Sequence, residues 1–415
     1  MQLFLLEVKR VLKTRTTWIL LLASLLLTMV LAYLPTTFHS YHWTEQNGQQ
    51  IELKGREVIQ YKKDTGAQYS GIVTAEKVRK ALEEYQSCMK ELSVDENLTN
   101  LPDDVYMKRI FPLQGILHGL NEIFADPNTG MTTYLGKIDP MEVETYYNRC
   151  DSRLESLMKL EKKDYPSAQE YATVAYSQVE KPYEFYPGFH LDVMAYQILL
   201  SILLLIFSGI ICAPIFTSDY QTGADDILRC TKYGRHRLAV VKIISSLSIS
   251  LILFAVCSGT YILISDTLYG WETTKTSIQM LFSITTLEPG NIGELQVRTV
   301  LRSVLPLLAT ISAILFISAK SRNNAISMAL SILVCTLPNF ISGFLTSNLG
   351  GWILHAIPSC AFGIETNMMY SAVGFEFLHL GNLSFRPVSV MLLFCAIEIP
   401  LFIFFAIHAY SGNRH

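Results

Sequence analysis

Residues Phe216–Lys242, FTSDYQTGADDILRCTKYGRHRLAVVK, form a polar, basic-ended stretch between two long apolar runs. Upstream, Met194 to Phe216 is apolar and nearly free of charge over a length that crosses about 30 Å of hydrocarbon. Downstream, Leu238 to Ile264 repeats the pattern, with Lys242 the one interruption near its start. Both runs read as transmembrane helices, and the stretch between them as a short cytoplasmic loop. Thr217, Ser218 and Asp219 offer helix caps, Ile227 and Leu228 an apolar spot, and Arg229, Lys232, Arg235 and Arg237 gather in the second half. That order predicts a short helix lying along the membrane surface. A plain solvated connector obeying the positive-inside rule has the same composition.

Composition agrees with a membrane protein. Half of the 415 residues are hydrophobic and 17% are charged, too apolar for a soluble chain of this length. A formal charge of −3 gives no basic surface for nucleic acid, and no zinc-finger or RNA-binding signature is present.

At the start, MQLFLLEVKRVLKTRTTW alternates Leu3, Leu6 and Leu12 with Lys9, Arg10, Lys13 and Arg15, the pattern of an interfacial helix. Ile19 to Leu34 then runs uncharged and, with Thr17 and Trp18, reaches spanning length. No A-x-A site precedes Pro35, so residues 1–35 are expected to be an uncleaved anchor with its N-terminus inside.

Residues 36–191 are polar, mixed in charge and rich in tyrosine, and read as one mainly helical extracytoplasmic domain of roughly 150 residues. After Thr74, the positions Val78, Ala81, Tyr85, Cys88 and Leu92 recur at helical spacing. Asp139-Pro140-Met141-Glu142 is a capping box opening a second helix, with Val143, Tyr147, Cys150, Leu154 and Leu157 on one stripe. The two stripes are expected to pack together, with Leu113 to Phe124 as a shorter third helix. Cys88 and Cys150 each fall on an apolar stripe, which fits either a disulfide or two buried free thiols.

Residues 192–415 hold five more helices. In the outer loop after Ile264, the apolar piece Ile278 to Ile284 is too short to span and is expected at the interface. Thr299 to Ala319 and Ala325 to Leu345 are spans joined by a short turn bearing Lys320 and Arg322, and Val388 to Tyr410 is the last. Between them, residues 350–387, broken by Pro358, read as a re-entrant or interfacial hairpin. Lys and Arg concentrate in the segments assigned inside, while the outer loops hold Lys275, Arg298 and Arg386, so both termini are expected in the cytoplasm. Glu398, in LLFCAIEIPLFIFF, falls about 15 Å into the last span. A carboxyl group at that depth implies either a hydrogen bond between helices or a place in a polar pathway.

The loop and the whole membrane layout resemble the ABC-2-type permeases, the membrane subunits of bacterial ATP-driven exporters. In that family the loop is a coupling helix seated in a groove of the ATPase. The resemblance assigns Asp219, Gly223, Ile227, Leu228, Arg235 and Lys242 to coupling, within the loop 217–237 and the start of the next helix. Asp225, Asp226, Tyr233 and Gly234 depart from the family pattern. The resemblance further implies a separate ABC ATPase partner, a second permease copy as homo- or heterodimer, contact with membrane lipid, and a multi-pass location in a bacterial cell membrane.

No GxxxxGK[ST], HExxH or GxSxG motif occurs, so no catalytic residues are assigned and any ATP hydrolysis is expected in a partner. No CxxC pair or Cys/His metal spacing occurs, and neither metal nor cofactor is expected. His355, His379 and His408 stand alone in the sequence. The competing reading is a membrane-anchored sensor whose outer domain binds a ligand, although it lacks a recognisable output domain.

Overall fold

The computed structural model describes residues 2–93, 101–230 and 234–412. The sequon at Asn97-Leu98-Thr99, along with Lys232 and Tyr233 of the loop, lies outside the described residues. Among the described residues, six helices are long and apolar enough to cross a membrane: 15–37, 191–222, 236–269, 292–320, 324–344 and 387–412. Each expected span is present, extended at one or both ends. The extensions follow local chemistry. Thr14, His190, Asn291 and Asn323 each accept a backbone N–H from the first turn of the helix that follows, fixing four of the six starts.

The second long helix is central and packs on the first, third, fourth and fifth, while the fourth runs along the sixth. Outward faces carry Leu22, Leu26, Ile252, Val256, Leu301, Ile397 and Phe404, all exposed and apolar. Inside, hydroxyls avoid isolation by bonding back one turn: Thr28 to the Ser24 carbonyl, Ser246 to Lys242, Ser303 to Thr299 and Ser331 to Ser327. Arg10 touches Asp219, and Tyr410 stacks near Phe216, so both ends of the chain meet the 214–229 segment at one end of the bundle. This end is called the terminal face below.

At the opposite end, residues 36–191 build a second core around Val78, Leu82, Cys88, Leu113, Tyr146, Cys150 and Tyr183. The segment is mainly helical, with two short antiparallel pairings, 40–44 with 50–54 and 71–72 with 184–185. Several expectations change here. The helix Ala75–Glu91 forms after its Thr74 cap, but Asp139 caps a 3-10 segment, Pro140–Thr145, and the α-helix proper is Tyr146–Glu161. The 3-10 segment packs on the first helix, and the α-helix packs chiefly on Pro166–Tyr176, so the two stripes do not run side by side. Cys88 and Cys150 are buried free thiols rather than a bridge. Leu113 to Phe124 is broken rather than one helix. Gly119 adopts φ +74°, and Gly115 lies against the Phe185 ring, leaving only Leu120–Ile123 α-helical.

The piece expected at the membrane interface is instead core: Ile278, Met280, Ile284 and Leu287 are buried, the last three against the 36–191 cluster. Residues 350–387 hold no helix long and apolar enough to span a membrane. Helix Asn348–His355 leads to a buried 3-10 turn, Pro358–Phe362, wedged among the fourth, fifth and sixth long helices. A hairpin, 378–380 with 383–385, then reaches the 36–191 segment. There His379 stacks on Tyr165 with centroids 3.4 Å apart, and Ser384 meets Ser167 at 2.8 Å.

Candidate functional site at the terminal face

Pro214 has no N–H to continue the hydrogen-bond ladder, so the second long helix breaks at Cys212 and restarts as Pro214–Thr222. The Ala213 carbonyl at this break accepts from Ser318 Oγ at 2.7 Å and Ser327 Oγ at 2.8 Å, and Phe216 N donates to Ser318 at 3.1 Å. Thr217 bonds Asn324, and Tyr220 Oη donates to the Ala319 carbonyl at 3.1 Å. The restarted helix is thereby pinned to the turn between the fourth and fifth long helices. Thr217, Ser218 and Asp219 are consequently interior residues of a helix that starts at Pro214, not the caps expected of them.

Asp219 points inward. Its Oδ2 lies 2.6 Å from Lys242 Nζ and its Oδ1 2.7 Å from Arg10 Nη1, while Arg10 Nε meets Glu7 Oε2 at 2.9 Å. Lys242 and Arg10 also donate to the Ile215 carbonyl at 3.1 and 3.2 Å, and Lys242 sits over the Phe216 ring. Glu7, Arg10, Asp219 and Lys242 form a chain of alternating charge that ties the N-terminal helix Gln2–Leu12, the 214–222 helix and the third long helix together. The Asp219 side chain is 5% exposed and that of Lys242 is 0% exposed. Both are therefore shielded from the surface, and their ion pair holds the 214–222 helix against the third long helix.

That segment projects beyond the cluster. Gly223 adopts φ +67° and ends the 214–222 helix, and its carbon faces open space, so the turn depends on backbone freedom rather than on tight packing. Helix Ala224–Arg229 follows, with Ile227 74% exposed and Leu228 packed partly into the bundle core. Arg235 is exposed and immediately precedes the third long helix. The six residues assigned by resemblance thus divide into a buried pair, a turn, an apolar tip with its anchor, and an exposed base.

The other polar positions are separate. Glu398 is half-buried in the sixth long helix, with Oε2 shielded and without a hydrogen-bond partner. Arg298 and Arg302 pair instead with Glu288, at 3.1 and 3.0 Å, at the end of the bundle opposite the terminal face. Two groupings escaped the sequence reading. Gln197 bonds the Gln296 carbonyl at 3.1 Å inside the bundle, and His39, His190 and Asp192 converge beside the 36–191 segment. Gln197 is distant in sequence from Gln296, and His39 from the His190-Leu191-Asp192 stretch, so no local motif spans either grouping.

No family model matches this chain, and no curated protein matches it either.

Proposed function

We propose that the chain is the membrane-spanning permease subunit of an ATP-driven exporter of the ABC-2 type. It works as a dimer in a bacterial cell membrane, with both termini cytoplasmic and residues 36–191 outside. The observation that carries this reading is the projecting turn and helix 223–229, whose exposed Ile227 is borne on a segment braced by a buried ionic cluster and by the fourth–fifth turn. An exposed isoleucine on a rigidly braced tip suits docking into a groove of a motor subunit, through which a push on the tip is passed to the second and third long helices. The apolar outer faces of the fifth and sixth helices serve lipid contact and the second copy. No nucleotide-binding motif occurs in the chain, so hydrolysis belongs to the ATPase partner.

The test is affinity purification of the full chain from its native membrane. A nucleotide-hydrolysing subunit should accompany the parent, and Ile227→Asp should lose it while remaining inserted and folded. An equal yield of that subunit with Ile227→Asp would overturn the proposed contact.

A further inference from the structure

His39 follows the 3-10 turn Leu34–Thr37 that ends the first long helix, and His190 caps the second by accepting the Asp192 N–H at Nδ1, 3.2 Å away. The two rings lie 4.0 Å apart, centroid to centroid. They meet where the 36–191 segment leaves the bundle and where it returns. His39 Nε2 is 3.4 Å from Asp192 Oδ2, and His190 Nδ1 is 3.1 Å from the same oxygen. All three ligand atoms fall within 4.8 Å of one another.

This geometry carries an electrostatic puzzle. His190 Nδ1 commits its single lone pair to the Asp192 N–H and lies 3.1 Å from that residue's carboxylate oxygen, so ligation exchanges this hydrogen bond for a metal bond. His39 Nε2 is buried and makes no hydrogen bond. Lone pairs gathered around a carboxylate repel one another unless a positive charge lies among them. A tetrahedral ion with bonds of about 2.0–2.1 Å needs its ligand atoms about 3.3 Å apart; the two nitrogen–oxygen separations bracket that value, and the two nitrogens lie within 4.8 Å of each other. Two imidazoles and one carboxylate form a donor set suited to zinc and its neighbours, and poorly suited to magnesium or calcium.

We propose that His39, His190 and Asp192 form a binding site for a zinc-class transition-metal dication, leaving one coordination position open to solvent. Bound there, the ion clasps the two ends of the 36–191 segment and fixes its base to the bundle. Ligation requires neutral imidazoles. Burial, with Lys62 second, lowers His39, and burial, then His39 and Lys62, brings His190 down to about 4. Lys62, on the helix Arg56–Gly66, is the one cation that acts on both imidazoles, and it opposes the ion.

The experiment uses the full chain, purified in detergent without a histidine tag, stripped with chelator and titrated calorimetrically with zinc chloride. One zinc per chain should bind with a Kd of about 1–10 µM. His39→Ala and Asp192→Asn should each weaken binding at least tenfold, on the order expected for losing a metal ligand. Lys62→Gln, outside the donor set, should tighten it. Gel filtration and circular dichroism would verify the fold of each variant, and Lys62→Gln decides the matter if a ligand variant misfolds. Zinc affinity unchanged in all three variants, magnesium binding as tightly as zinc, or no zinc bound at about 100 µM would overturn the site.

Discussion

Asp219 neutralises two cations at once, and this makes its replacement the most informative single change. At 2.6 and 2.7 Å, each of its contacts is worth about 6 kcal/mol gross at an effective dielectric of about 20, most of it offset by desolvation. Asp219→Asn removes the negative charge from both contacts and leaves Lys242 fully buried near Arg10 with only neutral acceptors, the amide oxygen introduced at position 219 and the Ile215 carbonyl. The expected cost is about 3–5 kcal/mol, the usual range for an orphaned buried charge. Lys242→Met is milder, because Asp219 keeps Arg10 and the methionine refills the space. The loss is then one charged hydrogen bond, about 1.5–3 kcal/mol. Combined, the two changes leave no orphaned charge in the core, so the double variant should cost less than the sum of the singles by more than about 1 kcal/mol. Reversible unfolding of the purified protein in mixed micelles, run as a double-mutant cycle, measures all three. Strictly additive effects, or Lys242→Met costing more than Asp219→Asn, would refute the bridging role given to Asp219.

Other outcomes follow from single sites. Gly223→Val should strain the φ +67° turn by about 1–2 kcal/mol without a clash, and should weaken partner docking while insertion is retained, as read by co-purification against membrane yield. Burial pushes the Cys150 thiol up to about 12 and raises Cys88, so maleimide at neutral pH should label exposed Cys230 and spare both until the protein unfolds; reductant should leave the melting temperature unchanged. His39 and His190 are held below the ordinary imidazole value of 6.5, so the unfolded chain binds protons first on acidification. The stability they contribute is therefore complete above about pH 6.5 and lost as pH falls toward 4, and metal-free His190→Gln should flatten thermal unfolding across that window. Glu398→Gln should retain fold and export, whereas Glu398→Leu, which removes a shielded carboxyl oxygen without a partner, should keep or raise stability while export falls.

The spans were legible because twenty-residue apolar runs have one solution in a membrane, and their caps, such as Thr14 and Asn323, are local. The Thr74 helix was equally local. What failed depended on partners. Ile278 to Ile284 carries the composition of an interfacial piece, and only the core built by distant residues such as Leu113 and Tyr176 decides that it is buried. The α-helix expected from Asp139 starts only at Tyr146, because Pro140–Thr145 is a 3-10 turn packed against the helix Ala75–Glu91. At the terminal face the motif named residues that the fold gathers at one end of the bundle, yet it could not tell an exposed position from an internal brace. In sequence Asp219 looks like a loop charge and Lys242 like an interruption near the start of a span; they become a buried pair only when Pro214 restarts the helix and turns Asp219 toward Arg10. The His39, His190 and Asp192 grouping had no sequence signal, because His39 lies at one end of the large insert and the His190-Leu191-Asp192 stretch at the other.

The most direct measurement places a photocrosslinking amino acid at position 227 of the full chain in its native membrane, with a second at the lipid-facing position Ile252 as reference. If the tip at Ile227 seats in a motor subunit, irradiation at 227 gives one dominant adduct with a protein that binds and hydrolyses ATP, and irradiation at 252 does not. Adducts at 227 formed only with lipid, or with proteins that bind no nucleotide, would contradict the assignment of this chain as the permease of an ATP-driven exporter.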